Sequence, residues 1–137
     1  MSRHIEPINP PTLMKPAGFS HAFEVRSGRM LVIAGQVAKD AAGQVVGKND
    51  LVAQFRQVCV NLKAVVNAAG GELTDVVKLT IYVIDVDEYK KRVREIGPVY
   101  REFFGKHFPA MTLVGARDLY DRADGCVLEI EGMAALP

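Results

Sequence analysis

From Asp50 to Gly70 the apolar positions are Val52, Phe55, Val58/Cys59, Leu62, Val65/Val66 and Ala69. Spacings of three and four residues are the repeat of a helix with one buried face, so a helix over 51–69 is predicted. Asp50 is placed to cap it, because a carboxylate there accepts amide hydrogens that the first turn leaves unpaired. Gly70-Gly71 closes it. A second run, 86–105, repeats Tyr89, Val93, Ile96, Tyr100 and Phe103/Phe104 at the same spacings and predicts a second helix. Gly97-Pro98 falls inside it. Proline lacks an amide hydrogen and crowds the preceding turn, so a kink or a split is expected there.

The remaining apolar segments read as strands. Residues 3–9 form a short one, stopped by Pro10-Pro11. Residues 20–26 alternate Ala22, Glu24 and Arg26 against Phe23 and Val25. After the turn signal Ser27-Gly28-Arg29, residues 30–35 are an unbroken apolar run; the pair predicts a β-hairpin. Residues 76–85 are rich in β-branched side chains. Pro109 precedes a strand at 110–116, a charged loop spans 117–125, and a last strand runs over 126–134. In that strand Val127, Glu129 and Glu131 share one face and Leu128 and Ile130 the other. The order is β-β-β-α-β-α-β-β, an α+β fold with a mixed sheet backed by two helices. No linker or low-complexity tract divides it, so residues 1–137 read as a single domain. Two helices cover one face of the sheet. Strands 30–35 and 76–84 are apolar on both sides, and oligomerisation is the simplest cover for the second face.

Composition narrows the function classes. Lys and Arg total 17 against 16 Asp and Glu, so no excess of positive charge is available for a nucleic-acid backbone or an anionic membrane. No stretch approaches the ~20 apolar residues of a membrane helix. The segment MSRHIEPINPP lacks a signal-peptide core, and a cytoplasmic protein is expected. Cys59 and Cys126 read as small apolar residues kept reduced. His4, His21 and His107 are scattered, no metal-ligand spacing occurs, and the motifs of zinc proteases, P-loop enzymes, α/β-hydrolases and Rossmann proteins are absent.

Six segments together resemble the RidA/YjgF (Rid) family. They are AGFSHA (17–22), IAGQVAKD (33–40), the long stretch 54–83, VYREFF (99–104), PAMTLV (109–114) and LEIEGMA (128–134). Their counterparts are the family's GPYSQA-like, SGQ-containing, helix-turn-strand, VYxxFF-like, PARxxV and VEIEAIA segments. The similarity runs over roughly residues 5–134. The resemblance implies a chorismate-mutase-like, YjgF-type homotrimer with small-molecule clefts between subunits. It implies hydrolysis of enamine or imine products of amino-acid metabolism without cofactor or metal. An older family label is endoribonuclease.

Imine hydrolysis needs a cation to fix the substrate carboxylate, donors and acceptors to place water, and a group to move protons. The family's arginine in PARxxV is Met111 here, its tyrosine in GPYSQA is Phe19, its serine before GQ is Ala34, and its asparagine is Gly97. Only the glutamate of VEIEAIA is retained, as Glu129. A cleft lined by Phe19, Ala34, Gly97 and Met111 is wider and more apolar than the family's. It suits an aromatic or otherwise less charged metabolite and not an efficient 2-aminoacrylate-type deaminase. Glu129 has two readings, a general acid or base with a raised pKa and a satisfied interface carboxylate. Glu131, about 6.6 Å further along the strand, shares its face. Arg117 and Arg122 either reach the cleft rim or belong to a solvated loop, and His21 either faces the cleft or the surface. Gln36 and Gln54 are expected to satisfy backbone groups near turns. A divergent hydrolytic deaminase or tautomerase leads; a non-catalytic trimer holding a metabolite or a protein is the alternative, and ribonuclease action fits the charge balance least.

Overall fold

The computed structural model describes residues 3–137. Six strands and three helices follow one another: β1 (Ile5–Ile8), β2 (Ala22–Val25), β3 (Arg29–Gln36), α1 (Leu51–Ala68), β4 (Val76–Val83), α2 (Val86–Lys91), α3 (Val93–Phe104), β5 (Ala110–Gly115) and β6 (Leu128–Leu136). Strands β3, β6, β4 and β5 form a mixed sheet in that order. β6 runs antiparallel to both neighbours, while β5 runs parallel to β4. That parallel pairing requires a crossover, and α2 and α3 supply it. The α+β architecture with a helix-backed mixed sheet is the one the apolar spacing implies.

α1 presents Phe55, Val58, Leu62 and Val66 to the sheet, where Leu79, Ile81 and Val83 of β4 and Leu128 and Ile130 of β6 meet them. Asp50 caps α1, its carboxylate accepting the Ala53 amide at 3.1 Å. Gly70 takes the left-handed conformation (φ +88°), and the Gly70 and Gly71 amides return to the Asn67 and Val66 carbonyls at the helix end.

Two expectations are corrected. β2 and β3 do not form a hairpin. β2 pairs with β1 in a separate two-stranded ribbon, and β3 pairs with β6. The turn at Gly28 (φ +106°) packs against the backbone of Leu136, so the chain changes sheets there. A turn signal reports that direction changes; it does not say which strand is met next. The second helix is divided, but at Arg92 and not at Gly97-Pro98. Pro98 lies inside α3. Part of the clash of a proline ring with its predecessor falls on that residue's Cβ, and Gly97 has none. Arg92 bridges the actual break, bonding Glu88 at 3.1 Å and Glu95 at 3.1 Å.

The helices cover one sheet face. The β1–β2 ribbon covers one end of the other, where Ile5 and Phe23 pack with Val77 and Ala135. The rest of that face is open, leaving Val32 73 %, Met30 52 % and Met133 43 % exposed. No described helix is long and apolar enough to cross a membrane.

Candidate functional site

A cavity of about 600 Å³ opens where α1 and α3 diverge over the β5 edge of the sheet. This is a volume typical of small-molecule sites. It follows from the local sequence. β5 turns Met111 and Leu113 inward and Thr112 and Val114 outward, by the alternation of a strand. α3 contributes Ile96, Gly97, Tyr100 and Phe104, residues spaced three and four apart on one helix face. Phe19, in the segment before β2, closes one side. Tyr100 stacks on Phe104 at 4.6 Å between centroids and on Phe108 at 5.4 Å, both nearly parallel, giving the cavity flat aromatic walls.

The polar groups of the lining are few and mostly held neutral. Tyr100 donates its hydroxyl to the His107 carbonyl at 2.7 Å, and burial raises its pKa. Burial pushes the Tyr89 phenol and the Cys59 thiol up to about 12 each. Cys59 is therefore a thiol at neutral pH, without the thiolate character of a nucleophile. Among the described residues, Arg101 is the single charged side chain on the lining.

The residues singled out from the sequence divide into two groups. Phe19, Gly97 and Met111 meet in this cavity. Glu129 and Ala34 lie on the opposite, open face of the sheet, because Glu129 alternates with the inward Leu128 and Ile130. Its carboxylate occupies the space a side chain at Gly35 would take. Partial burial, then the Asp121 and Glu131 charges, raise its pKa above the usual carboxylate range. Beside it Tyr82 donates to the Glu131 carboxylate at 2.6 Å. Arg117 is exposed on the loop after β5 and does not line the cavity. Arg122 donates to the Asn49 side chain at 3.2 Å. His21 bonds the Met14 carbonyl at 2.7 Å and meets Phe19 edge-on. Gln54, fully buried, donates to the Gly47 and Gly125 carbonyls and accepts from the Val127 amide. Gln36 donates to the Ala34 carbonyl. Among the described residues no three of His, Cys, Asp and Glu come together as metal ligands.

Arg101 was not among the residues the sequence marked. Its signal was present in the spacing, since position 101 is one helical turn from Gly97 and shares its face.

A mixed sheet with helices on one side and an apolar cavity at its parallel edge defines a small α+β protein with a ligand-sized site. Residues 12–136 match the family described as Endoribonuclease L-PSP. A RutC family protein of Pyrococcus horikoshii is 37 % identical over 121 residues, 88 % of this chain and 89 % of the relative. A protein of Salmonella typhimurium named 2-iminobutanoate/2-iminopropanoate deaminase is 33 % identical over 117 residues, 83 % of this chain and 84 % of the relative. The crystal structure of YyfB from Yersinia pestis, a Rid-family protein of unknown function, is similar with a TM-score of 0.81 and 39 % identity, covering 98 % of this chain and all of that one. The chain belongs to this family, the Rid (RidA/YjgF) proteins.

Proposed function

We propose that this chain is a single-domain, trimeric Rid protein that takes a small organic metabolite with an aromatic or otherwise apolar body, and that it is not an efficient hydrolase of short imino acids. The observation that carries this reading is Met111 on the wall of an aromatic-lined cavity of about 600 Å³, at the strand position where the family pattern has arginine. A thioether offers no charge-assisted hydrogen bond to a carboxylate. Removing one partner of a buried charge pair costs several kcal/mol, roughly 2–5. Among the described residues the one cation on the lining, Arg101, is exposed on α3 and not at that strand position, and a ligand as small as 2-aminoacrylate has little apolar surface to offset the loss.

In one chain Glu129 and Ala34 lie across the sheet from the cavity. The reading therefore requires a second copy, whose open face would bring Glu129, Ala34 and Arg117 toward the cavity mouth at β5. The exposed Met30, Val32 and Met133 support an interface on that face. Introducing a charge there by Val32→Glu lowers the mass measured by light scattering; a wild-type protein that is monomeric at high concentration rules the trimer out. Glu129, with its raised pKa, is the group suited to move a proton in a deaminase or tautomerase step.

The deaminase reading is tested by generating 2-aminoacrylate with a dehydratase and following its decay. Decay near the uncatalysed rate is expected. Acceleration matching that of an arginine-bearing relative rejects it. A second reading, a binding module without turnover, is favoured by the cavity itself, whose Cys59 and Tyr89 stay protonated and whose Tyr100 is engaged. Glu129→Ala separates the two: loss of turnover with retained ligand binding supports the enzyme. RNA cleavage has no support in a net charge of +1.

A further inference from the structure

Arg101 occupies a particular place on the cavity. Helix side chains lean toward the N-terminus, so position 101 covers the turn at position 97. The guanidinium lies over Gly97: a Cβ at 97 would stand 3.3 Å from Nη1 and 3.9 Å from Nη2. Any side chain at 97 would compete for that space. Among the described residues Arg101 has no ion pair, as is also true of Arg29, Arg94, Arg117 and Arg122, but of these only Arg101 lines the cavity. A solvated arginine resting its stem on an apolar wall would look similar from outside. Here, however, the charged end sits against the residue that opens the cavity, among walls that are otherwise apolar.

We infer that Arg101 is the anion clamp of this cavity and that the ligand it selects is an aromatic monocarboxylate. The inference rests on the small-molecule reading above and names the class of ligand. The planar guanidinium fork matches a carboxylate in two parallel hydrogen bonds. Within one chain the lining holds no lysine, histidine or second arginine among the described residues, so Arg101 is the group there that answers a single negative charge. The ring of the ligand lies against the near-parallel Tyr100, Phe104 and Phe108 stack, with Phe19 on the other side. Met111 and Leu113 form the apolar floor.

The chain contains no tryptophan, so indole fluorescence excited beyond the tyrosine band reports ligand alone. Indole-3-acetate and indole-3-acetamide have nearly the same shape and differ in charge. Titrated with the whole protein, the acid binds roughly tenfold tighter than the amide, the size of a charge-assisted hydrogen bond. The ratio shrinks as salt is added. Arg101→Met weakens the acid alone and brings the ratio near one, while Arg101→Lys, a cation without the fork, keeps part of it. Arg101 is exposed, and an unchanged thermal transition confirms that both variants fold. Equal affinities for acid and amide, or an unchanged ratio in Arg101→Met, overturn the clamp and leave the cavity reading standing. Binding of neither compound overturns both.

Discussion

Truncating Phe104 to alanine tests the cavity wall directly. Phe104 is 2 % exposed and stacks on Tyr100 at 4.6 Å. Its ring belongs to the buried core and also lines the cavity. Removing a buried phenyl ring costs about 3–5 kcal/mol through lost transfer energy and the void left behind. The stack contributes roughly 0.5–1.5 kcal/mol of this. Because the new space merges with an existing opening, its walls can relax, and the low end applies: about 3 kcal/mol. A chain of this length has an unfolding entropy of about 0.3 kcal/mol/K, so the midpoint falls by about 10 °C. Thermal unfolding followed by far-UV circular dichroism, at one protein concentration, measures it. Phe103→Ala is the control. Phe103 is half-buried at the edge of the core, with the Arg56 guanidinium 5.9 Å from its centroid, and its loss costs about 1 kcal/mol. A Phe104→Ala cost below about 1 kcal/mol, or equal costs for the two variants, would refute the assignment of Phe104 as the wall of a packed apolar cavity.

The carboxyl of Glu129 makes a pH prediction. Its folded pKa is raised, chiefly by desolvation, then by Asp121 and Glu131. Between the ordinary carboxylate pKa and the raised value the folded state binds more protons than the unfolded one, so stability falls as pH rises through that window. Glu129→Gln removes the slope and leaves a protein more stable than wild type above the window; denaturant titrations at several pH values decide it, and parallel curves for the two proteins would contradict the linkage. Cys59, buried and with its pKa pushed up to about 12, resists thiol reagents in the folded protein and reacts only on unfolding. Labelling at the rate of a free thiol would show that the α1 wall of the cavity is open to solvent.

Much of the fold was legible because it rests on local rules. The three-and-four spacing from Val52 to Ala69 describes α1, and Asp50 and Gly70 mark its ends. The alternation of Glu129 and Glu131 with Leu128 and Ile130 describes both faces of β6. The helix continues through Gly97-Pro98, where the glycine removes the Cβ part of the proline's crowding but not the lost hydrogen bond, and the break falls at Arg92 instead.

The candidate site was legible only in part, because a cavity is made of residues far apart in the chain. Phe19, Gly97 and Met111 come from a loop, a helix and a strand, and each is unremarkable in its own segment. Their convergence depends on β5 lying parallel to β4 at the sheet edge. Glu129 falls on the opposite face because the strand alternates, a fact its sequence states but whose consequence needs the position of the cavity.

By itself, then, the order of residues determined the element types, the ends of α1, the two faces of β6 and the near-neutral charge balance, since these depend on neighbours within a turn or two. Strand pairing was decided by tertiary structure alone: β3 found β6 and not β2, because burying an apolar strand beside the best-matched partner outweighs proximity in the chain. The same packing laid the Arg101 guanidinium over Gly97 and left it without a carboxylate. Such a relation exists only once the helix is wound and the sheet beneath it assembled.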